Sequence, residues 1–178
     1  KASVGFGGSC FQKDVLNLVY IAESLGLHEV AVYWQSVIDM NDWQRNRFVM
    51  NIVQTMFDSL QNKRIAVFGF AFKADTGDTR ESSAISVVKN LLNENAYVSI
   101  YDPMVTKEQM MNDLFDPKCG ITHEVLNTRV TVANDPYDAA LGSHALLIVT
   151  EWPQFTKFDY TRIYDSMMKP AFIFDGRN

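Results

Sequence analysis

Arg64-Ile-Ala-Val-Phe-Gly69 decides the fold. Apolar residues follow one another here without alternation, as in a strand buried on both faces, and Gly69 closes the run. Downstream the pattern predicts a helix over 80–95, a strand over 97–101, a helix over 107–114 and a strand over 130–132. A short helix around Tyr137, a strand over 145–149, a helix over 160–168 and a strand over 171–174 complete it. Strands alternating with helices mean βα units and a parallel sheet, which binds ligands at the carboxyl ends of its strands. The expected class is α/β, a parallel sheet preceded by a helical segment. The boundary falls between residues 62 and 63. The stretch 116–128 has Pro117, Gly120 and no clear period, and reads as a surface excursion.

The helical segment opens with Lys1-Ala-Ser-Val-Gly-Phe-Gly-Gly-Ser-Cys-Phe-Gln-Lys-Asp14, a glycine-rich loop running into a cysteine. Ser9 and Gln12 fit a capping box, with Cys10 at the first helical position. A thiol there has its thiolate favoured by the helix dipole. Gly5, Gly7 and Gly8 are expected to leave room for a ligand. Asp14 shares a helix face with Cys10, and its charge opposes thiolate formation. It either orients a water or a cation, or is an ordinary first-turn acid. The bland alternative for Cys10 is a buried small hydrophobe. The first helix ends at Gly26. The next covers 29–60, as one helix or as two with Asn41 and Gln44 forming a second cap. Its aromatic-rich stripe reads as core, and the second half as a candidate subunit interface.

Composition bounds the function. With 178 residues, 47% hydrophobic and 21% charged, the chain can bury a sizeable core. A net charge of −5 argues against nucleic acid as partner. No apolar run reaches the length of a membrane span. Two cysteines are too few for a disulfide framework, which points to a reducing, cytoplasmic setting. The start within a functional-looking loop suggests a piece of a larger protein. His28, His123 and His144 lack metal-ligand spacing, and no metal is expected.

Candidate ligand groups lie after the strands. The loop Phe70-Ala-Phe-Lys-Ala-Asp-Thr-Gly-Asp-Thr-Arg-Glu-Ser82 departs from G-x-G-x-x-G but joins a strand to a helix, where phosphates bind. Asp78 and Glu81 are the expected cap of that helix. Lys73 and Arg80 are either phosphate ligands or part of a solvated loop. Arg177 follows the last strand on the same edge. Asp102 either meets a ribose or forms a turn with Pro103. Cys119 reads as incidental, and Glu151-Trp152-Pro153 as packing.

Together, the loop Gly5–Asp14, the loop Gly69–Ser82 and Phe172-Ile-Phe-Asp-Gly-Arg177 resemble the UDP-glucose 6-dehydrogenase family, animal-type, along essentially the whole chain. The resemblance implies a Rossmann-like UDP-binding domain over 63–178 and part of the central domain over 1–62. It implies NAD-dependent oxidation of UDP-glucose to UDP-glucuronate in two hydride transfers, through a cysteine thiohemiacetal and thioester. Cys10 and Asp14 then match catalytic residues. Lys1, Ala2, Ser3, Val4, Gly5, Phe6, Gly7, Phe72, Lys73 and Arg177 match the substrate site. Cys10, Lys13 and Arg80 match the NAD site. The full-length protein is expected to be a homo-oligomer built on dimers, with a hexamer as an open alternative. The family's amino-terminal NAD-binding domain is missing, so the fragment is expected to be inactive. A related nucleotide-sugar dehydrogenase and a non-catalytic UDP-sugar binding module remain as alternatives.

Overall fold

The computed structural model describes residues 3–178. The sheet is formed by β1 (Arg64–Phe68), β2 (Tyr97–Tyr101), β3 (Val130–Val132), β4 (Ala145–Ile148) and β5 (Phe172–Asp175). All pairings are parallel, in the order β3-β2-β1-β4-β5. β1 lies at the centre, and Ile65, Ala66, Val67 and Phe68 are fully buried. The unbroken apolar run is thus accounted for by helices on both faces. Strand order reverses between β1 and β4, which opens a crevice beyond their carboxyl ends.

Two loops meet tightly at that reversal. Gly69 has φ +96°, and a Cβ there would overlap the Thr150 side chain. The Thr150 hydroxyl donates to the Ala71 carbonyl at 2.8 Å, tying the loop after β4 to the loop after β1.

Two helices precede the sheet, α1 (Phe11–Ser24) and α2 (His28–Thr55). α2 is one unbroken helix of 28 residues, about 42 Å long. The expected second cap at Asn41 does not form, because its side chain is buried and turned toward Phe6. The first half of α2 packs on α1 through Ala31 and Ile38. The second half joins the sheet core through Val49, Ile52 and Val53, so the stripe proposed for a subunit interface is largely covered by the chain's own sheet. The broad exposed apolar surface lies instead on α1 and the first half of α2, including Tyr20, Ile21, Val32, Tyr33 and Met40.

Between the sheet strands run α3 (Ser83–Asn93), α4 (Lys107–Phe115), α5 (His123–Arg129), α6 (Pro136–Ala140), a 3-10 turn at Pro153–Lys157 and α7 (Tyr160–Ser166). α3 starts later than the sequence suggested. Its cap is Ser82, whose hydroxyl accepts from the Ala84 N–H and donates to the Phe70 carbonyl. The Asp78–Glu81 box does not form, because Glu81 has φ +54° and Asp78 is held by Arg80. The stretch 116–128 is also more ordered than expected. Thr122 caps α5, and Leu126 anchors it in the core.

Asn41 and Arg45, one turn apart on α2, grip the glycine-rich loop. Asn41 accepts from the Phe6 N–H at 2.8 Å and donates to the Phe6 carbonyl at 3.1 Å. Arg45 is 6% exposed. It donates to the Phe6 carbonyl at 2.7 Å, the Glu81 carbonyl at 3.3 Å and the Ser83 hydroxyl at 3.2 Å. Burial pushes its pKa down, while Asp42 and Glu81 push it back up.

Gly69→Ala should cost roughly 2–4 kcal/mol, adding left-handed strain to overpacking, read as a lower midpoint in urea. Arg45→Met keeps the apolar stem but strips the Glu81 carbonyl of its side-chain donor and leaves the Phe6 carbonyl with Asn41 alone. It should cost about 2 kcal/mol, and hydrogen exchange should find the Gly8 amide unprotected.

Candidate active site

The loops after β1, β4 and β5 share one sheet edge because all the strands are parallel. The glycine-rich loop of residues 3–10 sits on that edge. The Gly8 N–H donates to the Arg80 carbonyl at 2.9 Å. A Cβ on Gly7 would lie 2.5 Å from the Glu81 carbonyl oxygen, and one on Gly8 would lie 3.1 Å from the Phe72 ring. At Gly5 the space is held by Asn41, Arg45 and Ser83. The room expected for a ligand at these glycines is therefore taken by the chain's own α2 and β1–α3 loop. Close backbone approach still explains the residue type, but the approaching group is protein.

Cys10 is exposed and heads α1 as the N-cap, one position earlier than the sequence suggested. The Ser9–Gln12 capping box does not form. Cys10 is already helical in backbone angle and no side chain caps the helix, while the Ser9 hydroxyl lies 3.9 Å from the sulfur. The thiol still stands at the positive end of a 14-residue helix. The Asp14 N–H donates to the Cys10 carbonyl at 2.9 Å, and the Lys13 and Asp14 side chains are exposed on the first turn. Phe6 packs edge-on against Phe11 at 4.7 Å between ring centres. Cys119 is buried, its thiol donates to the Asp113 carbonyl at 3.4 Å, and burial pushes its pKa up.

The three cations on this edge differ in environment. Arg80 is exposed and forks onto Asp78, with N–O distances of 2.7 and 3.0 Å. The hydrogen bond from Arg80 holds the Asp78 carboxyl below its ordinary value. Asp78 in turn raises Arg80, with a smaller push from Cys10. Lys73 is exposed beside the Phe72 ring, 5.3 Å from its centre. Arg177 is mostly enclosed. It pairs with Glu151 and donates to the Ser3 hydroxyl at 2.6 Å, and its Nε is buried with no partner among the described residues. Val4 is buried and touches Gly176.

Of the sequence candidates, Ser3, Val4, Gly7, Phe72, Lys73, Arg80 and Arg177 are thus brought onto one edge, with Cys10 at its margin. Gly5 and Phe6 are turned toward α2. Lys1 and Ala2 lie outside the described residues. From the sequence Asn41 read only as a helix cap and Glu151 only as packing, and Arg45 carried no functional reading. The i, i+4 spacing of Asn41 and Arg45 within the polar block between two apolar runs was the available signal. Asp102 reaches no ligand position, because both its carboxylate oxygens accept from N–H groups of the loops. Among the described residues no helix is long and apolar enough to cross a membrane.

Comparison with known proteins places this geometry. The UDP binding domain of the UDP-glucose/GDP-mannose dehydrogenase family matches residues 66–178, and the central domain of that family matches residues 1–43. The chain is 58% identical to the UDP-glucose 6-dehydrogenase of Mus musculus, over 99% of this chain and 36% of that protein. It is 55% identical to that of Drosophila melanogaster, over 99% of this chain and 37% of that protein. The chain therefore spans little more than a third of the curated relatives it matches. A solved UDP-glucose dehydrogenase from Pyrobaculum islandicum superposes with a TM-score of 0.74 at 31% identity, covering 99% of this chain and 35% of that one. With a sheet that carries the UDP binding domain and a leading loop from the central domain, this chain belongs to the UDP-glucose/GDP-mannose dehydrogenase family.

Proposed function

We propose that the chain is the substrate-binding part of an NAD-dependent UDP-glucose 6-dehydrogenase, with residues 1–62 from the central domain and 63–178 as the UDP-binding domain. The observation that carries this is the seating of the cysteine loop on the ligand edge of the sheet, through Gly8 to Arg80 and Ser3 to Arg177. On this reading Phe72, Lys73 and Arg177 hold the UDP, and the loop of residues 1–7 lines the diphosphate and glucose. Relatives at 55–59% identity named as UDP-glucose 6-dehydrogenases support that sugar over others.

Cys10 adds through sulfur to the C6 aldehyde, giving a thiohemiacetal. Its oxidation leaves a thioester, which water hydrolyses to the carboxylate. The residue type fits, because sulfur holds the carbon through the second oxidation and then departs. Asp14 orients the water. Two NAD molecules bound in turn would each take up one hydride, the first as the C6 alcohol becomes the aldehyde and the second as the thiohemiacetal becomes the thioester. The uncapped amino end of α1 suits the NAD diphosphate, with Lys13 and Arg80 as further ligands. The whole enzyme is read as a cytoplasmic homo-oligomer built on dimers, a state that the exposed apolar face of α1 and α2 supports.

UDP should bind this chain in calorimetry. Lys73→Ala and Arg177→Ala should each weaken binding by about ten- to a hundredfold, the loss of a charged hydrogen bond; unchanged affinity in both would overturn the site. NADH absorbance should stay flat with UDP-glucose and NAD, and steady NADH production would show that this chain needs no further domain. Iodoacetamide should label Cys10 in the native chain and Cys119 only after unfolding, as read by peptide mass spectrometry. Native labelling of Cys119 first would contradict the assignment of Cys10 as the available nucleophile.

A further inference from the structure

Asp102 directly follows β2, and it is 7% exposed. Its Oδ2 accepts from the Phe70 N–H at 2.7 Å, the Ala71 N–H at 3.1 Å and the Trp152 indole N–H at 3.1 Å. Its Oδ1 accepts from the Met104 and Val105 N–H groups at 2.9 and 3.1 Å. All five partners are N–H donors, and they come from the loops after β1, β2 and β4. A carboxylate is all acceptor, with about four lone-pair sites for these five donors, so the three N–H groups on Oδ2 share its lone pairs.

Two of these loops lead to the cations of the UDP site. Phe72 and Lys73 directly follow the two amides held by Oδ2. Phe72 also donates through its N–H to the Asp78 carbonyl at 3.0 Å, so the loop beyond is closed on itself and moves with its base. Glu151, the partner of Arg177, adjoins Trp152. We propose that Asp102 is a positioning residue that sets Lys73 and the Glu151–Arg177 pair at a common distance for one diphosphate ligand. The proposal rests on the UDP site above.

Asp102→Asn is the test, because it keeps size but cannot accept from all five donors. In either orientation its amide turns N–H groups toward at least two of them. UDP affinity by calorimetry should fall at least tenfold in protein that remains folded by circular dichroism. The Phe70 and Ala71 amides should exchange at least tenfold faster. Trp152 emission, isolated by difference from Trp152→Phe, should shift. A purely structural residue would lower the melting temperature yet leave the affinity of the folded protein intact. Affinity within twofold of wild type, with the two amides deprotected, overturns the proposal while the UDP site stands. Should wild type itself bind no UDP, the site and the proposal fall together. If Asp102→Asn does not fold, Trp152→Phe removes a single donor. It should then weaken UDP binding about threefold, and unchanged binding would overturn the proposal.

Discussion

A buried guanidinium on α2 ties the glycine-rich loop to the loop that leads into α3. Arg45 reaches from the middle of α2 to the carbonyls of Phe6 and Glu81 and to the Ser83 hydroxyl. A charge in that position is costly unless its donors are matched. The loops must therefore present their carbonyls to it, and the glycines at 5 and 7 let them come close enough to do so. Asn41 repeats the constraint at Phe6 with one donor and one acceptor. The cysteine at the end of the loop inherits its place from this grip, since its own helix supplies no side-chain cap.

On the sheet side the parallel topology does the corresponding work. Loops that follow neighbouring parallel strands must emerge together, so Lys73 and Arg80 from the loop after β1 reach one edge with Arg177, about a hundred residues on. Their surroundings then separate them. Arg80 is paired with Asp78, Arg177 is enclosed with Glu151, and Lys73 is exposed beside a ring, with Asp78 near enough to feel its charge. One charge on this edge is therefore open, and two are already oriented.

The elements were legible where local pattern and tertiary setting agreed. β1 could be read from its apolar run, and β2 and β3 fell on their expected residues. Helix starts were harder, because a cap is chosen by its other partners. Ser82 wins over Asp78 because its hydroxyl also reaches Phe70, 12 residues back, which no local window contains. α5 escaped notice because a single residue, Leu126, anchors it. The cations could be placed from the alternation of strands and helices, and the cysteine from the start of its helix. The roles of Asn41, Arg45, Asp102 and Glu151 could not, since each depends on partners from distant segments. The glycines show the limit most clearly: their need for space was readable, but the atoms that fill it were not.

The contact between Ser3 and Arg177 spans 174 positions of sequence. Closing so long a loop carries a large entropic cost, and the contact can persist only once the intervening sheet and helices hold its two sides in register. The ligand edge is thereby tied to completion of the fold. A partly folded chain can have its central strands in place and its thiol at a helix end, yet lack an assembled cradle.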